Sequence, residues 1–482
     1  MSELQVAPGR LLYGGEWHEA KSGRTFESVN PSTGKPITKV AGAGRDDVDA
    51  AVAAALKAFT EGAWPKMSGD DRAKCLWRLG DLLEQNKEEV ARLETLDSGK
   101  PIRDTTNVDV PYAADCFRYF AGWANKIHGE TIPVKGPFLN YTRREPVGVC
   151  AGIIPWNFPL LMATWKLAPA LAAGNTMIVK PASQTPLSAL KLGQLALEAG
   201  FPPGVVNVLT GSGGECGMAL VRHPSVHKVA FTGSTEVGRT IMKESAETLK
   251  RVSLELGGKS PNIVFADANL DGAVRGALIG IFYNMGELCT AGSRLLVEES
   301  IHDALMDKLV AGAAKMQPGD PFDPKTRVGP LVSEEHMKTV LRYIDIGKSE
   351  ARLAAGGERK GNQGYFVQPT VFDGVSNQMT IAREEIFGPV LAVITFKTPE
   401  DAVRIAADTP YGLAAGVWTR DVGKAHAVAA RIPAGTVWVN TYNVFDQASP
   451  FGGYKQSGFG REMGRHAIEL YTETKSVWVA LD

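Results

Sequence analysis

The sequence predicts an α/β protein built on a doubly wound parallel sheet, with a second alternating α/β unit and a small β element beside them. Three observations carry this expectation. From Val147 onward, short apolar runs bounded by Gly and Pro alternate with segments of helical period. The same alternation restarts after "LGGKSPNIVF". Two strand-like stretches, "GETIPVKGPFLNYTRREP" and the tail "ETKSVWVALD", stand apart from both units. Strand–helix alternation is the pattern of a parallel sheet covered on both faces. Ligands of such sheets bind beyond the carboxyl ends of the strands.

The elements follow in order. "LLYGGEWHEA" and "ESVNPSTGKPITKV" read as hairpins, turning at Gly14-Gly15 and at Pro31-Ser32-Thr33-Gly34. Two helices come next. The second starts at Ser68 as N-cap, lines up Leu76, Leu79, Leu83, Val90 and Leu93, and stops before Gly99 and Pro101. In the first unit the strands are "VGVCAGII", "TMIVK", "GVVNVLTG", "KVAFTG" and "RVSLEL". The helices between them are "PLLMATWKLAPALAAG", "PLSALKLGQLALEAG", "GECGMALVRH" and "STEVGRTIMKESA". "RLLVEES", "PVLAVITF", "AAGVWT" and "GTVWVN" are strands of the second unit. The tail has no local partner, so it must pair with something distant in the chain or with another subunit.

Length and composition narrow the function. A chain of 482 residues has ample core for more than one domain. A net charge of −1, with basic and acidic residues interspersed, gives no field that would favour nucleic acid or a membrane surface. The five cysteines are odd in number and include no C-x-x-C pair, which argues against a disulfide framework or a cysteine zinc site and for a reducing compartment. "HPSVH" sets His223 and His227 four residues apart, but Pro224 lies between them and the glutamate of H-E-x-x-H is missing, so no metal is expected. "MSELQVAPGR" is not a secretion signal, and the uncharged run "VGVCAGIIPWNFPLLMATW" is broken by Pro155, Asn157 and Pro159. A soluble cytoplasmic protein is expected.

Four stretches could carry chemistry. "FTGSTEVG" and "LTGSGG" each follow a strand, where backbone N–H groups hold pyrophosphates, although neither has the G-x-G-x-x-G spacing and a plain turn is an equal reading. "IPWNFP" fixes Asn157 between prolines, so its amide is either a turn residue or an oxyanion donor of set direction. "RVSLELGGKSPN" puts Glu255 between leucines at a strand end, where an apolar setting would raise its pKa toward that of a general base. In "MGELCTAGSR", small neighbours leave Cys289 room to meet a substrate; in isolation the stretch suits a packed cysteine better. No histidine stands near to activate it.

Together, "PWNFP", "FTGSTEVG", "LELGGKSP", "GELCTAGSR", "EEIFGPV" and "SPFGGYKQSGFGRE" resemble the aldehyde dehydrogenase superfamily, in its order and nearly end to end. The resemblance implies NAD(P)-dependent oxidation of an aldehyde to an acid, of the non-acylating, hydrolytic type. Cys289 would be the nucleophile, and Asn157 with the Cys289 N–H would hold the oxyanion. Glu255 would activate the hydrolytic water, and Lys166 would support positioning or a proton relay. The cofactor would lie against Ile153, Ile154, Pro155, Trp156, Lys180, Ser183, Gly213, Thr232, Gly233, Ser234, Leu256, Glu385 and Phe387. Glu385 would hold the nicotinamide ribose and Lys180 the adenine ribose. Ser183 departs from the glutamate typical of NAD-preferring members, which implies that NADP is tolerated. The substrate pocket would comprise Tyr112, Phe158, Met162, Trp165, Leu288, Thr290, Phe445 and Phe451. That lining favours apolar aliphatic or aromatic aldehydes; an aminoaldehyde or semialdehyde dehydrogenase of the same family is the alternative, and a cysteine hydrolase a more distant one. The implied domains are a Rossmann-like cofactor domain (1–125 and 147–256), a catalytic domain (257–455) and an oligomerisation element (126–146 and 470–482) of a homodimer or homotetramer. The role of Glu287 stays open.

Overall fold

The computed structural model describes residues 6–481. Five parallel strands form the centre of the first sheet, in the order Val206–Val208, Thr176–Lys180, Val149–Ile153, Lys228–Thr232 and Arg251–Glu255. The hairpin Leu11–Tyr13/Glu16–His18 closes one edge antiparallel, and Gly458–Phe459 closes the other. The chain winds outward in one direction from Val149–Ile153 and in the other from Lys228–Thr232, so the order reverses between these two neighbours. That reversal opens a crevice at their carboxyl ends. The helix Pro159–Ala172 is buried along its whole length, as expected for a sequence apolar on every face. It packs against the sheet and against the helices Gly69–Gln85 and Val110–Ala121. No helix among the described residues is long and apolar enough to cross a membrane.

The chain leaves the first sheet after Glu255 and enters a second, seven-stranded one. Its order is Arg352–Ala355, Thr370–Asp373, Val390–Phe396, Arg294–Glu298, Pro261–Val264, Ala414–Trp418 and Thr436–Val439, and all pairs but the first are parallel. The tail strand Thr472–Ala480 finds its distant partner within the same chain. It runs antiparallel to Phe138–Pro146, from Thr472 opposite Pro146 to Ala480 opposite Phe138, with Thr131–Ile132 as the third strand. Trp478, Val479, Phe138 and Leu139 remain exposed on this small sheet.

Three expected elements differ from the structure. The long helix after Ser68 is two helices, Gly69–Gln85 and Lys87–Ser98. Asn86 breaks it by leaving helical geometry and turning its side-chain amide back onto the Leu82 carbonyl at 2.8 Å. "GVVNVLTG" contributes only Val206–Val208 to the sheet. "GECGMALVRH" winds first as a wide turn over Gly213–Gly217 and becomes α-helical only at Met218–Arg222.

Candidate active site

The residues expected at the cofactor line the carboxyl ends of the first sheet. Ile153 ends one strand of the switch and leads into Ile154, Pro155 and Trp156, while Thr232 ends the other and leads into Gly233 and Ser234. Lys180 ends the next strand outward, and Gly213 opens the loop after Val206–Val208. Leu256 follows the last strand of the row. The Ser234 side chain caps the helix Thr235–Ser245 by accepting the Val237 N–H. Lys180 is buried, which lowers its pKa, and its ammonium donates only to the adjacent Pro181 carbonyl, at 2.8 Å. The Ser183 hydroxyl donates to the Gly211 carbonyl at 3.0 Å. A Cβ added at Gly213 or Gly214 would meet nothing within 4 Å, so open space lies beside this row. An open groove, free N–H groups on a buried lysine and a capped helix start suit a dinucleotide.

The crossing between sheets sets the other side. Gly257 and Gly258 have no room for a side chain: a Cβ would overlap the Glu385 carboxylate at the first and the Cys289 carbonyl at the second. Glu385 accepts the Gly258 N–H at 2.8 Å, and burial pushes its carboxyl up to about 7. Two residues on, Phe387 adopts φ 57°, a conformation rare for a bulky side chain. The His336 ring donates to the Phe387 carbonyl at 2.7 Å, and Trp156 packs edge-on to the Phe387 ring, centroids 5.2 Å apart.

Cys289 follows a left-handed stretch in which Asn284, Met285 and Gly286 have φ of 46°, 57° and 74°. This stretch aims the cysteine loop at Asn157. One N–H of the Asn157 carboxamide donates to the Glu287 carbonyl at 2.8 Å, while Asn284 Nδ2 donates to the carbonyls of Asn157 and Glu287. The second Asn157 amide hydrogen is left to face a ligand. Cys75, Cys116, Cys150 and Cys216 are buried, whereas Cys289 keeps solvent access. Its thiol is pushed up to about 12, first by desolvation and then by the Glu255 and Glu385 carboxylates.

Glu255 is buried, and neither carboxylate oxygen has a protein partner. Burial and then Glu462 raise its pKa well above the carboxylate range, with Lys166 and Arg461 pulling the other way. The Lys166 ammonium donates to Thr232 Oγ1 and Glu462 Oε1, each at 2.6 Å. Glu462 is the member of this site that sequence reasoning passed over, although it closes the quoted "SPFGGYKQSGFGRE". Glu287 lies elsewhere: Oε1 accepts the Val332 N–H at 3.0 Å and stands 3.7 Å from His336 Nε2. Its side chain ties the cysteine loop to Val332.

The residues expected around the substrate gather with Cys289 in apolar clusters. Trp165, Phe445 and Phe451 contact one another, with centroids 5.5 to 6.4 Å apart. Tyr112 donates to the Phe445 carbonyl at 3.2 Å. Phe158 and Phe445 stay partly open, whereas Met162 and Leu288 are buried behind them. The Thr290 hydroxyl turns to Asn443 at 3.0 Å, which ties down the loop after the cysteine.

An accessible thiol, an amide donor and a buried carboxylate gather at the seam of two α/β sheets, an arrangement that suits an enzyme working through a cysteine. Comparison with known proteins specifies which one. The aldehyde dehydrogenase family model matches residues 17–477. The mitochondrial aldehyde dehydrogenase of Homo sapiens is 52% identical over 98% of this chain and 92% of its own length. The NAD+ complex of aldehyde dehydrogenase from Bacillus cereus superposes with a TM-score of 0.98 at 50% identity, covering 99% of this chain and 97% of that one. The indole-3-acetaldehyde dehydrogenase of P. syringae, in complex with NAD+ and IAA, gives 0.97 at 49% identity, covering 98% and 97%. The chain belongs to the aldehyde dehydrogenase family, oxidoreductases that act on the aldehyde group.

A thiol pushed up to about 12 gives a direct expectation. In the cofactor-free protein, alkylation of Cys289 by iodoacetamide, followed by mass spectrometry, should keep accelerating past about pH 10, because the thiolate is the reacting form. A rate that levels off below about pH 8 would contradict the desolvated setting of the thiol beside two carboxylates.

Proposed function

We propose that this enzyme oxidises uncharged aliphatic or aromatic aldehydes to carboxylic acids through covalent intermediates on Cys289. The observation that carries the reading is the anchoring of the Asn157 carboxamide to the Glu287 carbonyl, two residues before Cys289, which holds an amide donor beside the cysteine loop. Once its proton has passed to solvent, Sγ of Cys289 adds to the aldehyde carbon, giving the thiohemiacetal oxyanion. The Asn157 amide and the Cys289 N–H stabilise that oxyanion, a contribution of about 3–4 kcal/mol for one such donor elsewhere. Ile153–Trp156, Lys180, Gly213, Thr232–Ser234 and Glu385 would hold nicotinamide adenine dinucleotide, which would supply the hydride acceptor that takes the thiohemiacetal to a thioester on Cys289. Glu255 then takes a proton from water, which attacks the thioester carbon and releases the acid and the thiol. A carboxylate with raised pKa suits that task, and the nearby Lys166 and Glu462 charges act on it in opposite directions.

NAD+ complexes of two relatives support NAD+ as cofactor. Acceptance of NADP+ rests on Ser183: its side chain carries no charge to repel a 2′-phosphate, and Lys180 stands at the end of the strand just before it. Residues 1–125 and 147–256 would form the cofactor domain, and 257–455 the catalytic domain. Residues 126–146 and 470–482 would serve assembly into a homodimer or homotetramer, which the exposed Trp478 and Val479 on an unpaired sheet edge support.

Two substitutions separate the carboxylates. Glu255→Gln should stall at the thioester, detectable as acylated Cys289, while Glu287→Gln, which can still accept the Val332 N–H, keeps most of the turnover. In the wild type, thioester hydrolysis should rise with pH above the ordinary carboxylate range, because a raised Glu255 pKa leaves the proposed base protonated at pH values where a free carboxylate is already ionised. The reverse behaviour of the two variants would exchange their roles.

A steady-state panel tests cofactor and substrate together. Both dinucleotides should support turnover of hexanal and benzaldehyde. An efficiency with NADP+ about a thousandfold below NAD+, equal to about 4 kcal/mol, would refute the Ser183 argument. Succinate semialdehyde outperforming hexanal would refute the apolar pocket.

A further inference from the structure

Directly behind one wall of the proposed aldehyde pocket lies a buried ion pair that the reaction does not use. Lys100 Nζ sits 3.4 Å from the centroid of the Phe158 ring and 2.6 Å from Asp109 Oδ2, and neither charged side chain reaches solvent. The fold delivers this arrangement with little latitude. Gly99 ends the helix Lys87–Ser98 at φ 78°, packed against Pro330, and thereby turns Lys100 inward. Asp109 closes the wide turn Thr105–Asp109 opposite. Glu94, one turn earlier on the same helix, accepts the Leu160 N–H at 3.3 Å. The segment from Glu94 to Lys100 therefore grips Phe158-Pro159-Leu160 from behind.

A benzene ring has a negative face on each side, and a cation placed over one face draws on the quadrupole that a second cation would need. Lys100 occupies one face of Phe158. The pair with Asp109 is neutral overall, but its positive end is the one in contact with the ring. Two further carboxyls belong to the cluster: burial pushes Glu94 up to about 7 and Asp104 up to about 6, so both keep part of their charge near neutrality, but the ammonium is the charged group in contact with the ring. An uncharged substrate group against Phe158 meets ordinary apolar carbon. An ammonium group in the same place meets a ring already engaged and a second ammonium behind it.

We infer that Lys100 is a specificity-determining residue, which makes Phe158 a wall that accepts uncharged aldehydes and disfavours cationic aminoaldehydes. The inference rests on the reading that Phe158 lines the aldehyde pocket, and it narrows the substrate class of that site.

The test compares betaine aldehyde with 3,3-dimethylbutanal, which has the same shape without the charge. The readout is the ratio of their kcat/KM values at fixed ionic strength, because a merely structural role would move both substrates together. Lys100→Met/Asp109→Asn removes both charges and leaves no buried ion unpaired. It should raise the cationic-to-neutral ratio about fivefold or more, the range of one restored cation–π contact. An unchanged ratio in a variant with the wild-type thermal midpoint overturns the inference. Phe158→Leu in the otherwise wild-type enzyme decides the matter even if the double variant fails to fold. With its ring already engaged, the wild type should lose or gain on both aldehydes by the same factor. A selective loss on betaine aldehyde overturns the inference while leaving the pocket reading intact. No effect on either aldehyde overturns the pocket reading, and this inference with it.

Discussion

Two residues without side chains hold the site together. Gly257 lies under the Glu385 carboxylate and Gly258 against the Cys289 carbonyl, with no room for a Cβ at either. The cysteine loop and the Glu385–Phe387 loop also meet directly: a Cβ on Gly286 would run into the Gly388 carbonyl and Pro389. Backbone packed on backbone leaves few ways to yield, since protein interiors relax only slightly around such contacts. The Glu255 carboxylate at the end of one sheet, the Cys289 thiol of the other and the Glu385 carboxylate proposed for the ribose are thereby fixed relative to one another. The left-handed geometry at Asn284, Met285 and Phe387 is tolerated because these contacts and the Asn284 and His336 hydrogen bonds hold it.

Desolvation is the second theme. Burial is the leading cause of the raised pKa at Glu255, Glu385 and Cys289, and of the lowered one at Lys259, which moves to about 7. Such groups cost stability unless they are paired. Lys166 donates to Glu462 Oε1, but Glu462 Oε2 and both oxygens of Glu255 are left without protein partners among the described residues. A buried carboxylate kept free in this way is suited to holding a water.

Much of the layout was legible in the sequence. Strands such as Thr176–Lys180 and Lys228–Thr232 are continuous β-branched and apolar runs, and Ser68, Ser234 and Gly99 mark helix ends by their chemistry alone. Local signals also exposed Asn157, Glu255 and Cys289, because prolines, leucine flanks and small neighbours advertise them. What stayed hidden depends on partners far along the chain. Lys166 and Glu462 are 296 residues apart, and Glu287 meets Val332 across 45. Lys100 looks like any lysine after a helix until the fold carries Phe158 over it. The helix break at Asn86 was missed because the leucine period runs on through it, while a single side-chain hydrogen bond decides the geometry.

Gly258→Ala tests most directly whether close backbone approach assembles the site. The added methyl would strike a carbonyl and not the movable end of a side chain. With NAD+ and hexanal, followed at the absorbance of the reduced cofactor, kcat/KM should fall by about a hundredfold or more, the scale set by misplacing a reacting group by about 1 Å. Far-ultraviolet circular dichroism should stay that of the wild type. Near-wild-type activity in the folded variant would contradict the account.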